Sequence, residues 1–226
     1  MRVAVLNDVH GNLPALEAAL AEVAALDVDR IVCGGDVAAG PFPRECLERL
    51  VDLGALFVRG NAERLLREGP LRWVSERLDA RSVEFLVELP QSVAFGGVRY
   101  CHGSPRSDDE ILTRVSPDER FRAALADVSE RLVVGGHTHV QFEREVDGIR
   151  FVNAGSVGRP YEGRPGAFWA LVEGEAIELR HTPYALDAAV VAIRATGYPG
   201  TDELCSVLLD PEDPDEVSTY FESIAT

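Results

Sequence analysis

Short apolar, β-branched runs recur along the chain, and each breaks off in a cluster of Gly, Asp, Asn or His: RVAVLNDVHGN, RIVCGGD, ALFVRGN, GVRYCHG, RLVVGGHTH, IRFVNAGS and FWALVEG. Runs of this kind, bounded by turn formers, predict buried strands. Between the first of them the pattern becomes helical. Residues 13–26 place Leu16, Leu20, Val23 and Leu26 at three- and four-residue steps, with Pro14 in the first turn, where its missing N–H is harmless. Residues 43–54 repeat the pattern and stop at Gly54. Strands alternating with helices predict an α/β layered core. From about Ser92 the strands crowd together, as in an antiparallel or mixed sheet. Helical inserts are expected at 70–88 and 107–131, the second opened by a Ser116–Glu119 capping box, and helical patterns return at 185–196 and about 212–224. Residues 202–216 read as an acidic surface segment with no assigned chemistry. No repeat or linker interrupts residues 1–226, which predicts a single domain.

The charge balance narrows the partners. The chain carries 38 acidic residues against 22 basic ones, every one an arginine, for a formal charge of −16. Such a surface repels nucleic acid and anionic membranes at long range. A small phosphorylated substrate is compatible with it, because local charge governs that contact, and a homo-oligomer is left open. Cys33, Cys46, Cys101 and Cys205 form no C-x-x-C pair and read as buried, reduced thiols. No stretch approaches the ~20 apolar residues that span a bilayer. The first apolar run, VAVL, is too short for a signal peptide and soon meets Asp8, so a cytoplasmic protein is expected.

The strand ends carry the candidate chemistry. Asp8 and His10 form D-x-H after the first run, Asp36 follows two glycines after the second, and Asn61 follows Gly60 after the third. His102 precedes Gly103 after a later run, and His137 and His139 close the next as G-H-T-H. α/β folds gather ligand sites at strand ends. Any one of these histidines alone reads as a satisfied core or surface residue. Asp8 and Asp36 could cap helices, and Asn61 could serve a turn. Carboxylate, amide and imidazole together, without thiolates, suit Mn²⁺, Fe or Zn²⁺ better than a structural zinc cage. Seven such side chains exceed one tetrahedral site and fit two metals.

The ordered set D-x-H, G-D, G-N, H-G and G-H-x-H resembles the calcineurin-like metallophosphoesterase superfamily, and DVHGNLPALEAAL, GGDVAAGP and NAGSVGRP resemble its small bacterial and archaeal phosphodiesterase-like branch. The resemblance implies a four-layer α/β/β/α sandwich with two mixed sheets flanked by helices. It implies one metal on Asp8, His10, Asp36 and His139, and a second on Asp36, Asn61, His102 and His137, with Asp36 bridging. It further implies hydrolysis of a phosphodiester, or of a phosphoester or pyrophosphate bond in a nucleotide, by a metal-bridging hydroxide. Asp36, Asn61, His102 and His137 would be catalytic. Two divalent ions are implied, Mn²⁺ first, with Fe, Zn²⁺, Ni²⁺ or Co²⁺ as alternatives. Asn12 and Arg159 are candidates for substrate contact, although Asn12 fits a helix cap as well.

The third motif departs from the family. It reads GNAE, so Ala62 stands where the most active relatives carry a histidine that protonates the leaving oxygen. A missing general acid removes about 10²–10⁴ in rate, most for poor leaving groups. Glu63 could substitute, but an exposed, structurally neutral Glu63 is the simpler expectation. The departure also motivates another reading, an interaction scaffold that keeps the fold and turns over little, and the motifs themselves permit a third, a phosphoprotein phosphatase.

Overall fold

Alternate residues of β1 (Arg2–Leu6) face two different cores. Val3 and Val5 meet residues of a second sheet, while Ala4 and Leu6 meet helices. This two-residue alternation builds the layers in the structure, a computed structural model that describes residues 1–225. The first sheet has the order β10-β9-β1-β2-β3. Its strands β2 (Arg30–Cys33) and β3 (Leu56–Phe57) run parallel to β1, while β9 (Ala167–Glu173) and β10 (Ala176–Thr182) form an antiparallel pair on the other side. The crossovers are α1 (Leu13–Ala24) and α2 (Pro43–Asp52), whose Leu16, Leu20, Leu47 and Leu50 pack with Ala4, Leu6 and Trp169.

The second sheet has the order β4-β5-β6-β8-β7. Here β5 (Val98–Cys101), β6 (Leu132–Gly135) and β8 (Ile149–Asn153) are parallel, flanked by antiparallel β4 (Ser92–Phe95) and β7 (Phe142–Val146). Val98, Tyr100, Leu132, Val134 and Val152 fill the space between the sheets. On the far face Cys101, Val133 and Phe151 pack with Phe121 of α6 (Asp118–Ala124). Helices, sheet, sheet and helix therefore follow one another, the layering the sequence implies. Between β3 and β4 lie α3 (Asn61–Arg64), α4 (Arg72–Ser75) and α5 (Ala80–Val87). The chain continues after β10 with α7 (Leu186–Ala195), α8 (Thr201–Leu209) and α9 (Pro214–Ile224). No helix among the described residues is long and apolar enough to cross a membrane.

Several expectations change. The insert at 70–88 holds two short helices: α4 ends at Ser75, and Asp79 opens α5 as its cap by accepting the Ser82 N–H at 2.7 Å. The Ser116 capping box does not form. Pro117 occupies the cap position, and the Ser116 hydroxyl accepts the Thr113 N–H at 3.0 Å and donates to Glu222 on α9. Within 202–216, α8 is a true helix, seated by buried Leu204, Cys205, Val207 and Leu208 while its acids face out. β4, β7 and β10 escape the apolar-run criterion because they are edge strands with one wet face. Their hairpins were nonetheless written in Gly96–Gly97 and Asp147–Gly148, all at positive φ, as tight two-residue turns need.

Phe121 anchors α6 to its sheet, fully buried, with its ring edge-on to Phe142 at 6.3 Å and to Phe151 at 5.7 Å. Phe121→Ala should cost about 3–5 kcal/mol in urea unfolding. A loss under about 1 kcal/mol would mean that this layer adds little to the fold.

Candidate metal centre

The ends of β1, β2, β3, β5 and β6 lie along one edge of the two sheets, and the chain turns sharply there. Five of the candidate residues sit in the left-handed region: Asp8 (φ 53°), His10 (46°), Asp36 (52°), His137 (70°) and His139 (59°). Non-glycine residues adopt it at a cost of about 1–3 kcal/mol each, and such residues cluster at functional sites. Main-chain bonds hold them in place. His10 N–H donates to Asp36 O at 2.8 Å, and Gly158 N–H to Asp8 O at 3.0 Å. Two glycines are required by close approach. A Cβ at Gly136 would stand 2.5 Å from Asp8 Oδ2, and one at Gly60 would stand 2.1 Å from Asp36 Oδ1.

These turns bring all seven side chains together. His139 Nε2 lies 3.1 Å from both Asp8 Oδ1 and His10 Nε2, and His10 Nε2 lies 3.8 Å from Asp8 Oδ1 and from Asp36 Oδ2. His102 Nε2 stands 3.7 Å from Asp8 Oδ1, 3.7 Å from Asp36 Oδ2 and 3.1 Å from Asn61 Oδ1. The His137 ring is 5.1 Å from that of His102, and the His137 main-chain N–H donates to Asp8 Oδ2 at 2.9 Å. Two tight groups result, Asp8–His10–His139 and Asp8–Asp36–His102. Asp8 belongs to both, so it is as central to the geometry as Asp36, the bridge the resemblance implies.

The orientation of the imidazoles tests whether a cation fits. His102 Nδ1 is 2.8 Å from Gly34 O, and His139 Nδ1 is 2.7 Å from Arg159 O. A carbonyl only accepts, so each Nδ1 carries a hydrogen, and in its neutral form each ring offers a lone pair on Nε2. Acceptor atoms of Asp8 and Asn61 and the Nε2 atoms of His139, His102 and His10 thus converge on one space. A cation makes that arrangement favourable, and the donor set fits a divalent metal.

The titration behaviour follows from crowding. Burial pushes the Asp36 carboxyl up to about 6, reinforced by Asp8 against the pull of His102. Burial opposes a proton on His102, but Asp36 and Asp8 outweigh it and raise the ring to about 8. Burial and His102 hold His137 down at about 3, and burial and His139 keep His10 well below the usual imidazole range. Burial would raise Asp8, yet His139 and His102 hold it below the usual carboxylate range.

Glu63 overturns its expectation. It is 1% exposed and sits beneath the site, where its carboxylate accepts N–H bonds from Asp36 (2.8 Å), Val37 (2.9 Å) and Gly60 (2.8 Å). Burial, with Asp36 close by, pushes it up to about 7. The signal was the G-x-x-E spacing, which makes Glu63 the third residue of a short helix capped at Gly60. Asn12 takes the helix-cap alternative. It is fully buried, caps α1 by accepting the Ala15 N–H at 3.3 Å, and donates to Gly158 O at 2.9 Å, so its amide is committed to the fold. Arg159 borders the centre through its carbonyl, and its guanidinium pairs with Glu203. Tyr161, with no assigned role in the sequence reading, stacks on His139 with centroids 5.2 Å apart. His181 lies elsewhere and bonds to Pro165 O at 2.9 Å.

Glu63→Ala leaves three buried N–H groups without acceptors, at about 1–3 kcal/mol apiece. It should lower both the unfolding free energy and the metal content, measured by urea denaturation and elemental analysis. Unchanged metal content would contradict a supporting role. A metal takes Asp36 and His102 only after each has lost its proton, whereas His10 and His137 are already neutral near pH 7. Affinity for Mn²⁺, titrated into metal-free protein, should therefore climb from about pH 6 to about pH 8 and then level. A flat profile would contradict the assignment of these two ligands.

The comparisons with known proteins agree with this geometry. The calcineurin-like phosphoesterase superfamily domain matches residues 1–175. A metallophosphoesterase from Sphaerobacter thermophilus superposes with a TM-score of 0.81 at 28% identity, covering 93% of this chain and 99% of that one. The hypothetical protein PH1004 from Pyrococcus horikoshii shares the fold with a TM-score of 0.81 at 23% identity, covering 94% of this chain and 99% of its own. An uncharacterized protein of Methanocaldococcus jannaschii is 28% identical over 195 residues, 71% of this chain and 78% of the relative. With the ligand-bearing strand ends of both sheets inside the matched region, the chain belongs to the calcineurin-like phosphoesterase superfamily.

Proposed function

We propose that the protein is a two-metal phosphohydrolase that cleaves phosphodiester bonds, or phosphoester and pyrophosphate bonds in nucleotides, in a small substrate. The observation that carries the reading is the convergence of carboxylate, amide and imidazole donor atoms from Asp8, His10, Asn61, His102 and His139, with Asp36 alongside. Asp8, His10, Asp36 and His139 would hold one ion, and Asp36, Asn61, His102 and His137 the other, with Mn²⁺ the proposed metal. When bound, such ions lower the pKa of a coordinated water from about 15.7 to about 7 and leave net positive charge for phosphate.

The chain's own residues set the geometry. The carbonyls of Gly34 and Arg159 fix the tautomers of His102 and His139. Ala62 N–H holds Asp36 Oδ1 at 2.9 Å, which fixes the carboxylate rotamer. The Ala62 side chain has no proton to give, and Glu63 faces backbone donors. The leaving oxygen thus lacks a general acid at this position, which favours substrates whose leaving group departs as an anion.

With Mn²⁺, bis-p-nitrophenyl phosphate should be hydrolysed, aryl esters should exceed alkyl monoesters by about 10²-fold or more, and Asp36→Asn should abolish turnover. If no ester is hydrolysed with any divalent metal, the catalytic reading fails. One observation favours the scaffold reading: an apolar groove of about 640 Å³ between α2 and α5, lined in part by Val51, Leu56, Phe57 and Phe85. A stable co-purifying partner without hydrolysis would select it.

A further inference from the structure

Arg159 meets the metal centre with both its main chain and its side chain. Its carbonyl orients His139, and its N–H is held at 2.8 Å by Ser156 Oγ, which itself donates to Asp8 O at 2.8 Å. The residue is therefore tied to the strand end that bears Asp8. Its side chain is 27% exposed, Nη2 pairs with Glu203 on α8, and Nε is buried with no partner among the described residues. A buried guanidinium N–H without an acceptor is a standing cost.

The other arginines near the second metal set are engaged differently. Arg59 and Arg64 lie on buried Asp108 at 2.9 and 3.0 Å, and Arg64 also reaches Asp109 at 2.7 Å. Asp108 is 4% exposed, so those cations are locked to a buried counter-ion. The carboxylate of Glu203 is 70% exposed, and an ion pair so open to water is weak. In a chain whose basic residues are all arginines, Arg159 combines proximity to the ligands, an unused donor and a replaceable partner.

We propose that Arg159 is the phosphate anchor of this site and that Glu203 is its resting counter-ion, exchanged for a phosphate oxygen when substrate binds. The inference rests on the phosphohydrolase reading and assigns the recognition of phosphate to the His10–His139 side. The planar fork suits two phosphate oxygens at once, and the orphaned Nε–H supplies the second donor. Because α8 is seated by Leu204, Cys205 and Leu208, Glu203 returns to the same place once the anion leaves.

Titration calorimetry of inorganic phosphate into Mn²⁺-loaded protein tests this without turnover. Arg159→Gln should weaken phosphate by about tenfold or more, and Arg159→Lys should recover part of the loss. Glu203→Gln should tighten phosphate by about threefold, and that gain should vanish when Arg159→Gln is also present. Three results would overturn the proposal: phosphate binding to Arg159→Gln within about twofold of the parent, weaker binding by Glu203→Gln, or loss of metal from both Arg159 variants, which would make the residue a structural support. Phosphate binding that ignores Arg159 defeats this inference alone. Failure of the parent to bind phosphate defeats the phosphohydrolase reading with it.

Discussion

Electron pairs crowded against one another at one sheet edge set the terms for this molecule. Asp8 Oδ1 has Nε2 of His139 at 3.1 Å and Nε2 of His10 and His102 at 3.8 and 3.7 Å. Without a positive charge among them these atoms repel, and in a buried, low-dielectric setting that repulsion is poorly screened. Protons supply part of the charge: Asp36 and Asp8 raise His102 against its burial, and burial with Asp8 raises Asp36. A divalent ion supplies more of it in one step.

The fold holds the crowd in place from below. Parallel strands from two sheets end together, and the shared core of Val3, Val5, Val134 and Val152 fixes one sheet against the other. Five candidate ligand residues adopt left-handed backbone, a cost that the tolerance of Asp and His for this region only partly reduces. It is offset by the main-chain bonds between the β1 and β2 ends and by Glu63, which gathers three N–H groups of the loops that carry Asp36 and Asn61. Glu63 thus supports Asp36 from beneath and faces main-chain donors rather than the open side of the site.

The seven candidate ligands were legible because each motif sits where a continuous apolar run meets glycine, and parallel strands buried on both faces produce such runs. The runs gave an α/β core, while the four layers came from the family resemblance. Edge strands β4, β7 and β10 were harder to read because half their residues face water, and α8 was hidden because Asp202 and Glu203 mask the spacing of Leu204, Cys205 and Leu208. Glu63 and Arg159 show a different limit. A buried carboxylate whose partners are backbone N–H groups, or a carbonyl that orients a ligand, leaves no trace in side-chain identity. The sequence named Glu63 as surface because an acid beside Arg64 usually is.

Crystals grown with Mn²⁺ and measured near the manganese absorption edge examine the central claim directly. The account predicts two anomalous peaks, one among Asp8, His10 and His139 and one against Asp36, Asn61, His102 and His137. Anomalous density absent from this cluster, or bound only at surface carboxylates, would contradict it.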